Sequence, residues 1–203
     1  MTNRKIKIAI DIDDVIADTN QTIRLWSNRV SGVELPPEHY SVKGEYWSYY
    51  NRIWATHNID DRLNFDDFEA ELIEDQAQVP LIASASLSVK ELLKKYDIVL
   101  ITSRNPALEA GTRRWIDEQV SPDVEIFFAK NPSISVGKSK GQLCKELGVS
   151  ILIDDNEDHC QSALDNGVKA VMFGKYGWQT TVPDGAIPCE DWPAVLEYLN
   201  DAV

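Results

Sequence analysis

The 203-residue sequence predicts an α/β fold: a doubly wound parallel sheet with a small helical segment inserted after the first strand. Two observations carry this prediction. Beyond Pro80, short apolar runs of strand length alternate with stretches of helical periodicity, which is the rhythm of right-handed strand–helix–strand crossovers. Before Pro80, one apolar run ends in carboxylates, and residues 18–80 then show no strand-like alternation at all.

Each element has its own signal. Ile6-Lys7-Ile8-Ala9-Ile10 alternates and then runs apolar, as a strand buried in a sheet does, and Asp11, Asp13 and Asp14 follow where it leaves the sheet. Thr22, Ile23, Leu25, Trp26 and Val30 mark an amphipathic helix ended by Ser31-Gly32, and Pro36-Pro37 then breaks the chain. The aromatic run Tyr46–Trp54 reads as a second helix, with Trp47, Tyr50 and Trp54 as its core stripe. Alternatively, Tyr46, Trp47 or Tyr49 stacks on a ligand. Phe65–Ile73 reads as a third helix, capped near Asn64 or Asp66, and the acidic series from Asp60 to Asp75 as a solvated face.

The second half is regular. Val89, Leu92, Leu93 and Tyr96 form a helix face, and Asp97–Arg104 is a buried strand ending in two hydroxyls, Thr102 and Ser103. Asn105-Pro106 starts a helix through Trp115 and Ile116, and Val124–Phe128 is a strand. Ser139 caps a helix carrying Leu143, Cys144 and Leu147, closed by Gly148. Val149–Ile153 is a strand ending in Asp154-Asp155, a helix follows from Glu157 to Asn166, and Ala170–Phe173 is the last strand. Residues 174–190 read as an irregular connection closing over one edge of the site, before Asp191 caps a final helix.

Composition narrows the partners. A formal net charge of −13 argues against a nucleic-acid duplex or an anionic membrane, both of which need a positive surface. It leaves room for a small phosphorylated substrate, because a metal and one lysine reverse the field locally. Three cysteines without CxxC spacing point to free thiols, with Cys144 and Cys160 as packing residues, and His39, His57 and His159 show no ligand spacing. No apolar run is long enough for a leader or a span, so a cytoplasmic protein is expected.

Parallel strands gather their ends at one face. Asp11 and Asp13, Thr102 and Ser103, Asp154 and Asp155, with Lys140 at a helix start, then form the assembly that phosphoryl transfer requires: a nucleophile, carboxylates for a cation, hydroxyls and a fixed ammonium. Clustered carboxylates also raise one pKa enough to keep an acid protonated. Taken singly, each residue has a plainer reading. Thr102 suits any strand end, Asp154-Asp155 any helix cap, and Ser103 and Arg104 any turn. Lys138 rivals Lys140, which is favoured because it follows the capping serine.

The ordered set Asp11-Ile12-Asp13-Asp14-Val15, Leu100-Ile101-Thr102, Lys140 and Ile153-Asp154-Asp155 resembles the four motifs of the haloacid dehalogenase superfamily. Ile101-Thr102-Ser103, Ile153-Asp154-Asp155 and Tyr176-Gly177-Trp178 with Asp191-Trp192 resemble its 5'(3')-deoxyribonucleotidase-like branch, which often has Gly where Asp14 stands. The resemblance implies a Rossmann-like core domain over residues 1–17 and 81–203 and a helical cap domain over residues 18–80. It implies an Mg²⁺-dependent phosphomonoester hydrolase, with a nucleoside monophosphate as the branch's substrate. Asp11 would be the nucleophile and Asp13 the acid and base. Mg²⁺ would be held by Asp11, the Asp13 carbonyl and Asp155, with Asp154 as the other candidate ligand. Thr102, Ser103 and Lys140 would hold the phosphate. A phosphatase of another metabolite such as a sugar phosphate is the alternative. A receiver-like phosphoacceptor domain is remote, because no phosphoacceptor strand stands between the acidic pair and the threonine.

Overall fold

A computed structural model describes residues 5–131 and 137–202. Among them, six strands form one parallel sheet in the order β3-β2-β1-β4-β5-β6. The strands are β1 (Lys7–Ile10), β2 (Asp97–Thr102), β3 (Glu125–Phe128), β4 (Ile151–Asp154), β5 (Lys169–Phe173) and β6 (Ile187–Cys189). β1 lies between β2 and β4, with Ile8 opposite both Ile98 and Ile151. Strand order reverses there, and such switch points are where open α/β sheets bind ligands.

Alternation along the strands sends side chains to two cores. Ile8, Ile10, Leu100 and Ile153 pack on one face against α4 (Ala85–Lys95), α5 (Glu109–Gln119) and α8 (Trp192–Ala202). Ala9, Val99, Ile101 and Leu152 pack on the other, against Cys144 of α6 (Lys140–Leu147) and Cys160 of α7 (Glu157–Asp165). All three cysteines are free and buried.

The insertion between β1 and β2 carries α1 (Thr19–Ser31), α2 (Tyr49–Thr56) and α3 (Phe65–Glu74), ahead of α4. Asp18 and Asn64 cap α1 and α3, and Gly32 closes α1 in the left-handed conformation that glycine accepts without strain. These helices bury a third cluster including Trp26, Tyr40, Ile53, Trp54 and Phe68. Trp47, expected on the core stripe of the second helix, precedes α2 and is 54% exposed.

Two other expectations change. Asn105-Pro106 opens a short 3-10 turn over Pro106–Leu108, with Asn105 accepting from Ala107 N–H, and α5 begins only at Glu109. The connection after β5 contains a sixth strand. Its three residues include Pro188, which removes a donor and therefore suits an edge strand, but which also hid the strand in sequence. Among the described residues no helix is long and apolar enough to cross a membrane.

α6 and α7 meet at Gly141, where a methyl group would overlap the Ser162 carbonyl oxygen. Gly141→Ala is therefore expected to destabilise the protein by about 2–3 kcal/mol through overpacking, measured as a lower urea midpoint at unchanged slope.

Candidate active site

The neighbouring ends of β1, β2 and β4 bring Asp11, Thr102-Ser103 and Asp154-Asp155 to one face. Lys140 reaches them from the first position of α6. The reciprocal Ser139–Gln142 capping box defines that helix start. Its ammonium lies 2.7 Å from Asp11 Oδ2 and 2.7 Å from Asp154 Oδ2, and the side chain is 1% exposed. Lys138 instead pairs with exposed Glu146.

The carboxylates differ in their partners. Asp11 Oδ1 accepts from Ile12 N–H at 2.7 Å. Asp154 is saturated: besides Lys140, its Oδ1 takes Asn156 N–H and His159 Nδ1, each at 3.1 Å. Asp155 Oδ2 accepts from the Trp178 indole at 2.8 Å, and among the described residues no hydrogen bond reaches its Oδ1. Asp13 is gripped by Arg104, whose Nε lies 3.0 Å from one oxygen and whose Nη2 lies 2.8 Å from the other. The Thr19 hydroxyl adds a bond at 2.6 Å. Asp14 adopts φ +56°, in the left-handed region that favours glycine, and its Oδ1 accepts from Asn20 N–H.

Thr102 is fully buried, with Oγ1 accepting from Arg104 N–H at 3.1 Å. Ser103 lines the cavity above the carboxylates, and its buried hydroxyl has no partner among the described residues. That cavity holds about 440 Å³ and is walled by Tyr46, Trp47, Tyr50, Phe65 and Phe68 of the insertion, and by Trp178. Asn105 ties the wall to the core by donating to Glu69, while the other acidic residues of that stretch face solvent.

Electrostatics follow from these contacts. Burial lifts Asp11 from 3.8 to about 7, with Lys140 opposing and Asp154 and Asp13 reinforcing the rise. Burial and neighbouring carboxylates push Asp155 well above the usual carboxylate range, and burial does the same for Asp14 against its bond from Asn20. Asp154 resists burial and falls to about 2 because Lys140 and His159 stabilise its anion. Against burial, Arg104 also holds Asp13 below its ordinary value. Burial, reinforced by the neighbouring carboxylates, thus raises Asp11, Asp14 and Asp155 rather than the expected acid, Asp13. The cause is a bidentate ion pair of Arg104 Nε and Nη2 with the two Asp13 oxygens, invisible in sequence.

An all-oxygen donor set with an open Asp155 oxygen and an uncompensated acidic cluster fits a hard divalent cation such as Mg²⁺. Among the described residues, Asp11, Asp154 and His159 bring ligand atoms within 4.8 Å of one another. The Lys140 ammonium already bridges the two aspartates there, at 2.7 Å from each. Of the residues not singled out in sequence, His159 and Thr19 join the site through bonds to Asp154 and Asp13.

No protein-family model matches the chain, and no curated protein matches it in sequence. Solved structures do match in fold. A haloacid dehalogenase-like hydrolase from Streptococcus pneumoniae is 14% identical with a TM-score of 0.58, over 98% of this chain and 100% of that one. The fold is that of the haloacid dehalogenase-like hydrolases. Within this fold, a D,D-heptose 1,7-bisphosphate phosphatase from B. bronchiseptica, complexed with magnesium and phosphate, is 13% identical with a TM-score of 0.55. The match covers 98% of this chain and 99% of that one. A predicted phosphoglycolate phosphatase from Haemophilus somnus is 18% identical with a TM-score of 0.56, at the same two coverages, 98% and 99%.

The raised Asp11 has a consequence for stability. Between about pH 4 and 7 the folded protein keeps a proton on Asp11 that the unfolded chain has released. This group therefore favours folding at low pH, and its contribution is lost as pH rises through 7. In metal-free protein, Asp11→Asn should gain stability over the parent progressively from pH 4.5 to 7.5 and hold a constant offset above. Urea denaturation at fixed pH measures this, and parallel curves would show an ordinary aspartate.

Proposed function

We propose that this protein is an Mg²⁺-dependent phosphomonoester hydrolase that works through an aspartyl-phosphate on Asp11, with nucleoside monophosphates as substrates. The observation that carries this reading is the Lys140 ammonium bridging Asp11 and Asp154 at 2.7 Å beneath an aromatic-walled cavity. Residues 18–80 act as the cap that sets specificity over a core of residues 1–17 and 81–203.

In the first half-reaction an Asp11 oxygen attacks phosphorus, and the ester oxygen leaves with a proton from Asp13. In the second, water attacks the same phosphorus, gives its proton to Asp13 and releases phosphate and free Asp11. The Ile12 N–H orients the attacking carboxylate, and Lys140 offsets charge between it and the phosphoryl group. The unpartnered Ser103 hydroxyl donates to a phosphate oxygen, while Thr102 supports the turn that presents it. Asp13 is ionised in the free site, so an incoming phosphate has to draw Arg104 away before Asp13 carries a proton. Asp11, the Asp13 carbonyl and Asp155 would hold Mg²⁺, which when bound neutralises phosphoryl oxygens during transfer. Asp154 serves Lys140 instead.

Charge and shape argue for the leaving group. Lys140 and Arg104 are the only Lys or Arg among the described residues lining the cavity, and both are engaged by aspartates. Beyond those two, a second phosphate or carboxylate, as on a bisphosphate or phosphoglycolate, would find no Lys or Arg among the described residues lining the cavity and would meet Glu69. An uncharged group with a flat face fits, because the cap presents rings for stacking.

Phosphate release should require Mg²⁺, cease with EDTA, and fall on the order of 1,000-fold or more in Asp11→Asn. Among a panel of monophosphates and bisphosphates, nucleoside monophosphates should have the highest kcat/KM. A preference for a sugar phosphate or phosphoglycolate would overturn the substrate, and metal-independent release would overturn the mechanism. Trp47→Ala should raise KM for a nucleoside monophosphate roughly 5- to 100-fold, the range expected for one stacked base, with a smaller change in kcat. An unchanged KM would remove Trp47 from the substrate contact.

A further inference from the structure

The turn after β5 is tied to the carboxylates more closely than a connection needs. Trp178 is 3% exposed and donates its indole N–H to Asp155 Oδ2 at 2.8 Å. Its ring stacks on Tyr176 with centroids 4.5 Å apart and planes 2° apart, and the Tyr176 hydroxyl donates to the Asp14 carbonyl at 2.6 Å. The Gln179 amide nitrogen donates to the carbonyls of Asp155 and Phe173, at 2.8 and 2.7 Å, and its oxygen accepts from Tyr176 N–H at 3.0 Å. Residues 176–179 thus hold Asp155 by side chain and backbone and also reach the loop after β1.

Trp178 also packs edge-on to Tyr49 of the cap, with centroids 5.3 Å apart. Gly177 permits this close seating: its carbonyl accepts from Gly44 N–H at 3.1 Å, and a methyl group there would overlap the Tyr49 hydroxyl. Packing alone explains a large apolar ring. It does not explain an indole, whose buried N–H has to be satisfied and is satisfied by one oxygen of an acidic residue.

Resting on the reading of Asp155 as a cation ligand, we infer that Trp178 is its positioning residue. The indole N–H occupies Oδ2, stops the carboxylate from rotating and leaves Oδ1 for the divalent cation. Partners of this kind orient a ligand, and their loss typically costs about 10- to 100-fold in metal affinity or activity.

The test is calorimetric titration of Mg²⁺ into the metal-free 203-residue parent, Trp178→Phe and Trp178→His. Trp178→Phe keeps an aromatic ring but loses the donor and should raise the Mg²⁺ Kd about 10-fold or more. Trp178→His, which retains a ring N–H, should recover part of the loss, a rescue that a purely packing role would not produce. Equal or tighter binding by folded Trp178→Phe would overturn the inference while leaving the cation site standing. No Mg²⁺ binding by the parent would instead overturn the cation site itself, and this role with it. If the variants do not fold, the parent decides through its Trp178 indole N–H resonance, assigned by its contact with the Tyr176 ring. A shift on Mg²⁺ titration, with the calorimetric Kd, supports the role, and an unmoved resonance in Mg²⁺-bound protein overturns it.

Discussion

Five carboxylates, Asp11, Asp13, Asp14, Asp154 and Asp155, crowd the ends of β1 and β4, and among the described residues two fixed cations, Lys140 and Arg104, pair with them. Buried like charges are costly unless paired, and this imbalance governs the surrounding structure. Lys140 divides its ammonium between Asp11 and Asp154, and Arg104 commits its fork to Asp13. Asp14 and Asp155 are left to carry the strain as raised pKa values. Much of the nearby architecture delivers those two cations. α6 starts at Lys140 and presses against α7 through Gly141, and the turn after β2 places Arg104 where Gln76 and Thr112 steady its Nη1.

The helical insertion solves a second problem at the same face. Charge interactions among the carboxylates, Lys140 and Arg104 strengthen where water is excluded. The cap walls the cavity with rings rather than charges, and its own core, built on Trp26, Trp54 and Phe68, holds those walls in place. Arg52 donates to the carbonyls of Glu45 and Trp47, which pins the loop bearing Tyr46 and Trp47 at the cavity. Cap and core meet through Asn105 on Glu69, Gly44 on Gly177, and the ring of Trp178. Trp178 belongs to the core's chain segment but packs in the cap's cluster, so the acidic site and its cover share a residue.

How much could be read in advance follows from the range of each interaction. Helix starts and stops are local, so Asn64, Ser139 and Gly32 are legible as caps, and each occupies that role. Burial of β1, β2, β4 and β5 was legible from apolar runs. β6 was not, because three residues around Pro188 carry no periodicity and are a strand only by pairing with β5. Trp47 was misplaced because helical spacing was extended two residues before α2 begins, at Tyr49.

By itself, the sequence determined the α/β order of elements and the acidic, hydroxyl and lysine chemistry at the strand ends. Periodicity, capping and residue type are properties of short segments. Only the tertiary structure decided which charges meet. It joined Arg104 to Asp13 across 91 residues and made Asp154 the partner of Lys140. It also brought Trp178 to Asp155 across 23 residues. Against burial, those pairings hold Asp13 and Asp154 below the ordinary carboxylate range while Asp11, Asp14 and Asp155 rise, and they depend on distances through space that no local pattern encodes.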